Sequence, residues 1–389
     1  MQNKKTEISL PAVFLSTLLL NAGASFMWPL VTVYMHNYLG KTLTLAGTTL
    51  LVMSLFMILG NYIGGYLFDH WSPYKTAIIS CLISMAGMIL LILFHSWPMF
   101  GILLAVVGFG DGASMTVGNS FAASVKSKTT RYVFNALYIG MNLGVVVGTL
   151  LVGYLLDFGI TIVLSVTTLC YIGLLVIILI EFPATLKARK GKGSKKEVVK
   201  RSNKLGLMIP ICVMVFSVYL SYTLWESVLS VHMTNLNISF EKYSLLWTLN
   251  GLMIVVLQPI ANRIGANYKL SSQIILGVTI FASSFFLLVF ADRYPIFIAI
   301  MAILTIGEMI GFPGIPAWVD SLSDESQKGK FQGWFNMAIS VGRAIGPLFG
   351  GVMIDVFNYQ ILFISVTVIM LAALGVVLLR RRQSSVRDE

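Results

Sequence analysis

The sequence predicts an all-α membrane protein with twelve transmembrane helices in two pseudo-symmetric six-helix bundles. Three observations support this prediction. The chain is 57% hydrophobic and only 11% charged, which is unlike a soluble domain. Apolar runs long enough to cross a bilayer recur along the whole chain. The second half repeats a series of residues of the first half in the same order, which is typical of a duplicated membrane protein.

The apolar runs have about the 20 residues that a helix needs to cross a hydrocarbon layer roughly 30 Å thick. We predict one membrane-spanning helix per run, and no remaining stretch is long enough for a soluble domain. The predicted spans are centred in residues 11–35, 44–68, 76–94, 99–122, 135–156, 160–181, 206–230, 243–262, 272–290, 296–318, 332–354 and 361–380.

The net charge of +11 follows the predicted topology and is not typical of a nucleic-acid binding surface. With the N-terminus assigned to the cytoplasm, all but four of the 27 Lys and Arg residues fall in cytoplasmic segments. Lys41, Lys242 and Arg293 fall on the other side, and Arg343 falls inside a span. Because positive charge marks cytoplasmic loops, both termini are predicted to be cytoplasmic. No nucleic-acid partner is expected.

A basic segment separates the two halves. The predicted N-terminal bundle covers residues 1–182 and the C-terminal bundle covers 206–382, with a linker at 183–205 and a tail at 383–389. The linker carries nine basic residues and one acid, Glu197. This composition is typical of a flexible cytoplasmic loop that its charge holds near anionic lipid.

The internal repeat places two acids in corresponding spans. Asp111 in the fourth span and Glu308 in the tenth span are 197 residues apart, and each follows a glycine. At this offset, or at one residue more, further matches occur in chain order. They are Trp28 with Trp225, Val31 with Val228, Asn61 with Gln258, Arg131 with Lys328, Gly144 with Gly342, Gly148 with Gly346, Gly153 with Gly351, and Asp157 with Asp355.

Glu308 and Asp111 are the predicted proton-coupling residues. A carboxylate costs several kcal/mol at the bilayer centre, so a chain keeps one there only with a partner, a wet cavity or a proton. A carboxyl that is neutral when dry and charged when wet can exchange a proton for substrate as a cavity changes side. In the alternative interpretation, Glu308 is a structural carboxylate locked to Arg343 or to backbone donors, and Asp111 holds a neighbouring helix.

Arg343 is the predicted charge partner of Glu308, because both lie near the midpoints of their spans. Ion pairing is the first interpretation of Arg343, and binding of an anionic substrate is the second. Glu226 lies about eight residues beyond the middle of the seventh span, roughly 12 Å toward the outer face. At that depth Glu226 is either an interfacial acid or a cation-binding one.

Uncharged residues inside the spans add further candidates for substrate binding. Amides inside spans ordinarily form interhelical hydrogen bonds worth about 0.6–2 kcal/mol. Tryptophans near span ends are ordinarily interfacial belt residues, but the repeat places two of them at corresponding positions on cavity-lining helices. The candidate substrate-binding residues are Asn21, Trp28, Asn61, Trp225, Glu226, Asn250 and Gln258.

The segment after the second span carries a family resemblance. Gly65 and Asp69 fit the Gly-x-x-x-Asp-Arg-x-Gly-Arg-Arg loop of the major facilitator superfamily, which this segment resembles, and Lys75 is its only basic residue. The residues between Asp69 and Lys75 depart from that pattern; the departures are His70, Ser72, Pro73 and Tyr74.

A second resemblance lies in the fifth and eleventh spans. Both are similar to the Gly-x-x-x-Gly-Pro-x-x-Gly-Gly motif of bacterial twelve-helix multidrug:proton antiporters, although the antiporters' fourth-helix arginine is missing here and Leu104 stands about where it would be. The fifth span has Gly144, Gly148 and Gly153, whereas the eleventh has the complete set of Gly342, Gly346, Pro347, Gly350 and Gly351.

The resemblance implies a transporter that works by alternating access, with helices 1, 2, 7 and 8 bordering its cavity. Small residues four apart let helix backbones approach closely, and Pro347 permits a kink. We therefore expect the glycines to pack helices at the seam between the halves. The functional interpretation is a pivot on which the halves rock.

The sequence shows no sign of other chemistry. Gly40-Lys41-Thr42 ends like a phosphate-binding loop, but Met35 stands where the first glycine is needed. The histidines are predicted to lie in loops without metal-ligand spacing, and the cysteines are predicted to be apolar packing residues inside helices. No cofactor and no metal are expected. The histidines are His36, His70, His95 and His232, and the cysteines are Cys81, Cys170 and Cys212.

The sequence therefore predicts a monomeric, multi-pass secondary transporter of the bacterial plasma membrane that is not an enzyme. Its expected partners are a small-molecule substrate, protons and the lipid bilayer. We expect proton-coupled efflux of amphipathic drugs or small molecules. The alternatives are proton-coupled or facilitated transport of one specific metabolite, and a non-transporting sensor.

Overall fold

A computed structural model describes residues 7–125, 127–128, 130–183, 205–265, 267–322 and 328–385. In these residues every regular element is a helix. The predicted basic linker at 183–205 lies, apart from its two end residues, outside the described residues, and so does most of the predicted tail at 383–389.

The helices of the first half are long because a segment inside lipid must satisfy its backbone hydrogen bonds internally. Short turns separate them, and α3 begins at a proline directly after the capping residue Ser72. The elements are α1 (Leu10–Val33) with a π-helical turn (Tyr34–Tyr38), α2 (Leu43–His70), α3 (Pro73–Leu93), α4 (Met99–Ala123), α5 (Thr130–Leu155) with a 3₁₀ turn (Leu156–Phe158), and α6 (Ile160–Glu181).

The second half repeats this pattern with two interruptions. The elements are α7 (Leu205–Glu226), α8 (Val228–Asn235), α9 (Phe240–Gly265), α10 (Leu270–Leu287) with a 3₁₀ turn (Leu288–Phe290), α11 (Tyr294–Gly311), α12 (Gly314–Ser321), α13 (Lys328–Val356) and α14 (Tyr359–Ser385). The described residues contain twelve helical stretches long and apolar enough to cross a membrane, which confirms the predicted number.

Two predicted spans that the sequence treated as continuous are broken in the structure. The seventh span breaks at Ser227, where the hydroxyl of Tyr243 donates to the carbonyl oxygen of Trp225 at 2.7 Å. This contact satisfies a carbonyl that the helix end leaves free. The tenth span breaks at Phe312 and Pro313, because a proline has no backbone N–H and disfavours helix in the residue before it.

The chain divides into two compact units. The first unit comprises Met1–Lys41 and Thr48–Gly193, and the second comprises Thr42–Gly47 and Ser194–Glu389. The short segment Thr42–Gly47, at the beginning of α2, therefore groups with the second unit. The predicted division into two halves does not include this detail.

In the first unit, two glycines bring α5 against α1. A Cβ on Gly144 would lie 2.5 Å from the carbonyl oxygen of Leu18, and one on Gly148 would lie 2.5 Å from that of Ala22. Real Cβ atoms do not approach backbone oxygens this closely, so only glycine fits at either position.

The matching glycines of the second unit bring α13 against α7. A Cβ on Gly342 would lie 2.7 Å from the carbonyl oxygen of Phe216, and one on Gly346 would lie 2.5 Å from that of Leu220. These four glycines pack helices of the same unit. The predicted packing at a seam between the halves is therefore not seen for these four glycines, whose nearest backbone neighbours are α1 and α7 of their own bundles. Gly351 differs, because a Cβ there would press on the carbonyl oxygen of Leu43 at the start of α2.

The segment after α2 is a capped turn. The backbone N–H of Lys75 donates to the Ser72 hydroxyl at 3.4 Å, and the Lys75 ammonium lies 5.7 Å from the centre of the Trp71 ring. Asp69 is exposed, and a Cβ on Gly65 would make only an ordinary van der Waals contact. Sterically, Gly65 is thus unlike the four tightly packed glycines.

Candidate functional site

Polar side chains of four helices converge inside the second unit, on α7, α9, α11 and α13. The guanidinium of Arg343 on α13 forms an ion pair with Glu226, the last residue of α7. One nitrogen, Nη2, donates to both carboxylate oxygens at 2.9 Å. The close approach of α13 to α7 at Gly342 places the arginine within reach of this carboxylate.

Glu308 on α11 lies beside this ion pair but has different contacts. Its Oε2 accepts a hydrogen bond from Nδ2 of Asn250 at 3.1 Å, and the Tyr222 hydroxyl interacts with the same carboxyl. Nδ2 of Asn250 also donates to the Thr305 hydroxyl at 2.9 Å, which orients the amide. Among the described residues, no Lys or Arg forms an ion pair with Glu308.

The predicted partnership of Arg343 with Glu308 is therefore not the one that the structure contains. Arg343 is paired with Glu226, although all three groups lie near enough to interact electrostatically. Glu226 is only 16% exposed in its side chain, so it is a paired carboxylate rather than a freely solvated interfacial acid.

Aromatic rings surround the acidic cluster. The ring of Tyr222 is stacked parallel to Phe281, with centroids 6.1 Å apart, and lies 5.9 Å from Trp247 and 6.4 Å from Phe312. Tyr219 lies 5.8 Å from Phe312. Tyr219, Tyr222 and Phe312 are half-buried.

Asp111 lies in a separate network inside the first unit. It is 2% exposed, and its Oδ1 accepts hydrogen bonds from the Tyr171 hydroxyl at 2.7 Å and the Ser84 hydroxyl at 2.8 Å. Within the described part of the chain, Oδ2 is buried and has no partner. The carboxyl thus joins α4 to α3 and α6, which agrees with the interpretation that it holds neighbouring helices.

A narrow cavity of about 40 Å³ lies next to this network, between α1, α3, α4, α5 and α6. Its polar lining includes Asn21, Ser80 and Ser114, and the buried hydroxyl of Ser114 has no partner among the described residues. Ser114 lies three residues after Asp111 and therefore on the same side of α4. A cavity of this size holds a few water molecules rather than a drug.

The other candidate substrate-binding residues mostly have partners inside their own unit. Oδ1 of Asn61 accepts from the Thr116 hydroxyl at 2.7 Å, and Nδ2 of Asn21 donates to the Thr17 carbonyl oxygen at 2.8 Å. Gln258 donates to the Met309 carbonyl oxygen at 3.2 Å. The paired tryptophans differ from each other, because Trp28 is half-buried whereas Trp225 is 1% exposed and belongs to the core.

Several residues of these networks were absent from the sequence-based candidates. Helical spacing could have identified two of them. Tyr222 lies four residues before Glu226, and Thr305 lies three residues before Glu308. Both spacings put a polar side chain on the same helix face as the acid. No such signal exists for Tyr171, which is 60 residues from Asp111.

The sequence predicted a loop at His232, but the residue lies in the short helix α8. Its ring lies 4.1 Å from that of Tyr359, 5.8 Å from Phe363 and 6.2 Å from Phe297. Burial among these aromatic rings lowers the pKa of His232 to about 4. The ring is therefore neutral at physiological pH.

The described residues form twelve helices that can span a membrane, in two bundles that each contain buried ionisable groups. This arrangement defines a membrane protein of the transporter class. The chain belongs to the Major Facilitator Superfamily, whose family model matches residues 13–231 and 211–389. The resemblance to the major facilitator superfamily is confirmed, and the protein is a membrane transporter.

Relatives of similar length occur in Bacillus subtilis (strain 168). The uncharacterized MFS-type transporter YttB is 35% identical over 364 residues, which are 92% of this chain and 91% of YttB. The uncharacterized MFS-type transporter YqjV is 22% identical over 89% of this chain and 86% of its own. The multidrug resistance protein MdtH of Aeromonas salmonicida is 23% identical, but over only 28% of each chain.

Solved transporter structures share the fold. A POT family transporter in complex with a thioalcohol conjugated peptide superposes with a TM-score of 0.81 at 13% identity, covering 96% of each chain. The nucleoside transporter NupG also reaches 0.81, at 10% identity, covering 95% of this chain and 99% of its own. At these identities the likeness concerns the fold alone.

Proposed function

We propose that the protein exports amphipathic small molecules across the plasma membrane in exchange for protons, and that Glu308 carries the proton. The observation that supports this most directly is the division of charges in the second unit. Arg343 is matched by Glu226, whereas Glu308 has hydrogen-bonding neighbours without charge. A carboxyl without a matched cation is tolerated inside a membrane as the neutral acid, and it ionises when water reaches it.

The two states of Glu308 provide the coupling. When the site is dry, the protonated carboxyl accepts from Asn250 and adds no charge to the apolar interior. When water or a polar substrate group enters, the proton leaves and the carboxylate can bind a positive or hydrogen-bonding part of the substrate. Proton and substrate then alternate on one group, which is what antiport requires.

The aromatic rings support an amphipathic substrate. The half-buried faces of Tyr219, Tyr222 and Phe312 suit a flat apolar group, and Glu308 beside them suits a polar or cationic one. The multidrug resistance name of MdtH, a relative over part of the chain, points the same way.

Asp111 is the other predicted proton-coupling residue, and we propose a positioning role for it. Its Oδ1 already accepts from Tyr171 and Ser84, and these hydroxyls come from two different helices. A carboxyl that ties three helices together is poorly suited to losing and regaining its contacts in each transport cycle.

Transport of one specific metabolite is the second candidate function. The Arg343 side chain is 36% exposed although it is paired, so a substrate carboxylate or phosphate could compete with Glu226 for the guanidinium. An anionic metabolite rather than an amphipathic drug would then be the substrate.

The test is flux in reconstituted vesicles, with and without a pH gradient, for the wild type and Glu308→Gln. Glutamine keeps the shape and the hydrogen bond to Asn250 but cannot ionise. The transported probe is an amphipathic dye. We expect Glu308→Gln to lose dye accumulation driven by the pH gradient and to keep downhill exchange of the dye. Glu241→Gln, a change of another carboxyl in the same unit, is the matched control and should transport normally.

Two results would contradict the proposal. Full proton-driven accumulation by Glu308→Gln would remove Glu308 as the proton carrier. Flux of anionic metabolites, with no flux of amphipathic dyes in the wild type, would favour the second candidate function.

A further inference from the structure

A groove separate from the Glu308 cluster lies between α9, α10, α11 and α12 of the second unit. Its volume is about 550 Å³, within the range of roughly 300–1,000 Å³ that holds small molecules. Leu257, Ile260, Leu276, Ile306 and Ile310 form its apolar part. Nothing in the proposed transport mechanism uses this groove.

The walls of the groove carry apolar side chains that are exposed at the surface of the second unit. Ile260 is 53% exposed, Ile264 is 59% exposed and Leu276 is 53% exposed. In a chain that spans a membrane, exposed apolar side chains of this kind are solvated by lipid tails. The groove is therefore accessible from the bilayer.

The groove changes from apolar to polar along its length. Asn262, Tyr268, Ser272 and Gln273 line the part where α9 ends and α10 begins, which is the end nearest the membrane surface. The molecule that fits such a groove has an apolar chain and a polar head.

Side-chain hydrogen bonds shape this polar rim. Nε2 of Gln273 donates to the carbonyl oxygens of Gly265 at 2.7 Å and Tyr268 at 3.0 Å. A Cβ on Gly265 would lie 2.6 Å from the Gln273 amide oxygen, so a larger residue there would displace the end of the Gln273 side chain. The turn between α9 and α10 is thus held in place where it meets the groove.

Two basic residues that do not themselves line the groove are sequence neighbours of its rim. Arg263 lies in the chain between the lining residues Asn262 and Ile264, and Lys269 lies between the lining residues Tyr268 and Leu270. Both are exposed, and neither forms an ion pair within the part of the chain that the structure describes. Basic residues near the membrane surface attract anionic headgroups.

We propose that this groove is a binding site for an anionic glycerophospholipid of the adjacent leaflet. One acyl chain lies against Leu276, Ile306 and Ile310, and the phosphate lies at the rim between Arg263 and Lys269. Met309 and Ile310 of the groove directly follow Glu308 on α11, so the bound chain packs against the helix that carries this acid. The site does not depend on the proposed proton coupling.

The test is native mass spectrometry of the full-length protein in detergent, with added phosphatidylglycerol or phosphatidylcholine of identical acyl chains. We expect phosphatidylglycerol to bind about 30-fold more tightly than phosphatidylcholine, from the two basic residues next to the rim. Arg263→Gln combined with Lys269→Gln should remove this preference. Lys41→Gln combined with Arg293→Gln lowers the net charge equally, outside the groove, and should keep it.

Filling the groove separates a built site from general adhesion of lipid. Ala317 lines the groove and is exposed, so Ala317→Trp should fill it and lower retention of both lipids severalfold. Gly375→Trp places the same side chain at an open position of α14 and should have no such effect.

A phosphatidylglycerol with a photoreactive acyl chain locates the bound lipid without any variant. Cross-links are expected on peptides from α9 to α12. Equal binding of the two lipids, retention unchanged by Ala317→Trp, or cross-links confined to other helices would each overturn the proposal. Displacement of the photoreactive lipid by transported dyes, with no preference for anionic headgroups, would assign the groove to substrate instead.

Discussion

Arg343 on α13 and Glu226 at the end of α7 form an ion pair in which one guanidinium nitrogen donates to both carboxylate oxygens at 2.9 Å. The pair joins two helices whose backbones already approach closely at Gly342 and Gly346. It also neutralises the arginine. Glu308 is therefore left, among the described residues, with neutral hydrogen-bonding neighbours, and the proposed mechanism depends on this division.

The ion pair should be more important for stability than a surface pair. Arg343→Ala should cost about 2–3 kcal/mol, below the ~3–5 of a fully buried pair because the arginine is 36% exposed. The loss arises because the Glu226 carboxylate is left without its partner. The double variant Glu226→Met with Arg343→Met should be more stable than Arg343→Ala, since neither charge is stranded.

The measurement is thermal unfolding in detergent. Arg293→Ala is the control, because Arg293 pairs with Asp292 at 3.9 Å on the surface, where such pairs contribute up to about 1 kcal/mol. A double variant that is less stable than Arg343→Ala would contradict this account.

Asp111 should tolerate asparagine but not alanine. Asparagine keeps the Oδ1 acceptor for Tyr171 and Ser84, so Asp111→Asn should remain folded and keep proton-driven transport. Asp111→Ala leaves two buried hydroxyls without their acceptor and should cost roughly 2 kcal/mol or more. Thermal unfolding and flux should be measured together. A stable Asp111→Asn protein without proton coupling would make Asp111 the proton carrier.

Two helical glycines should respond oppositely to alanine. A Cβ on Gly144 would press on the Leu18 carbonyl oxygen, so Gly144→Ala must push α5 away from α1 and should destabilise the protein. A Cβ on Gly118 of α4 meets open space, so Gly118→Ala should stabilise by about 0.5–1 kcal/mol through helix propensity. Thermal unfolding compares the two directly, and equal effects would show that close packing of α1 and α5 is not required.

His232 should make stability fall in mild acid. Its pKa is about 4 in the folded protein and about 6.5 when unfolded, so the unfolded chain binds more protons between these values. The contribution of His232 to stability is complete above pH 6.5 and is lost as the pH falls toward 4. The loss in the free energy of unfolding reaches about 2 kcal/mol at pH 5.

His232→Phe should remove this part of the pH dependence in thermal unfolding between pH 5 and 7. Tyr359→Phe keeps the ring that lies 4.1 Å from the histidine ring and is the matched control, so it should retain the wild-type slope. An unchanged slope in His232→Phe would show that other groups cause the acid sensitivity.

The sequence by itself determined the twelve spans, their pairing by the repeat, and the presence of buried acids and an arginine. These properties depend on composition and on residue order, since a helix needs about 20 apolar residues to cross a bilayer. A charged residue inside such an apolar run is rare and can therefore be recognised in the sequence. The family was indicated by resemblance, through the two six-helix halves and the motif residues Gly65 and Asp69.

Only the tertiary structure decided which residues are partners. The sequence placed Arg343 and Glu308 at similar depth, but depth does not specify the rotation of a helix about its axis, and the structure pairs Arg343 with Glu226. The same applies to Asp111, whose partner Tyr171 lies on another helix 60 residues away. Side-chain contacts between helices depend on packing across the whole bundle, and spacing along one helix does not contain that information.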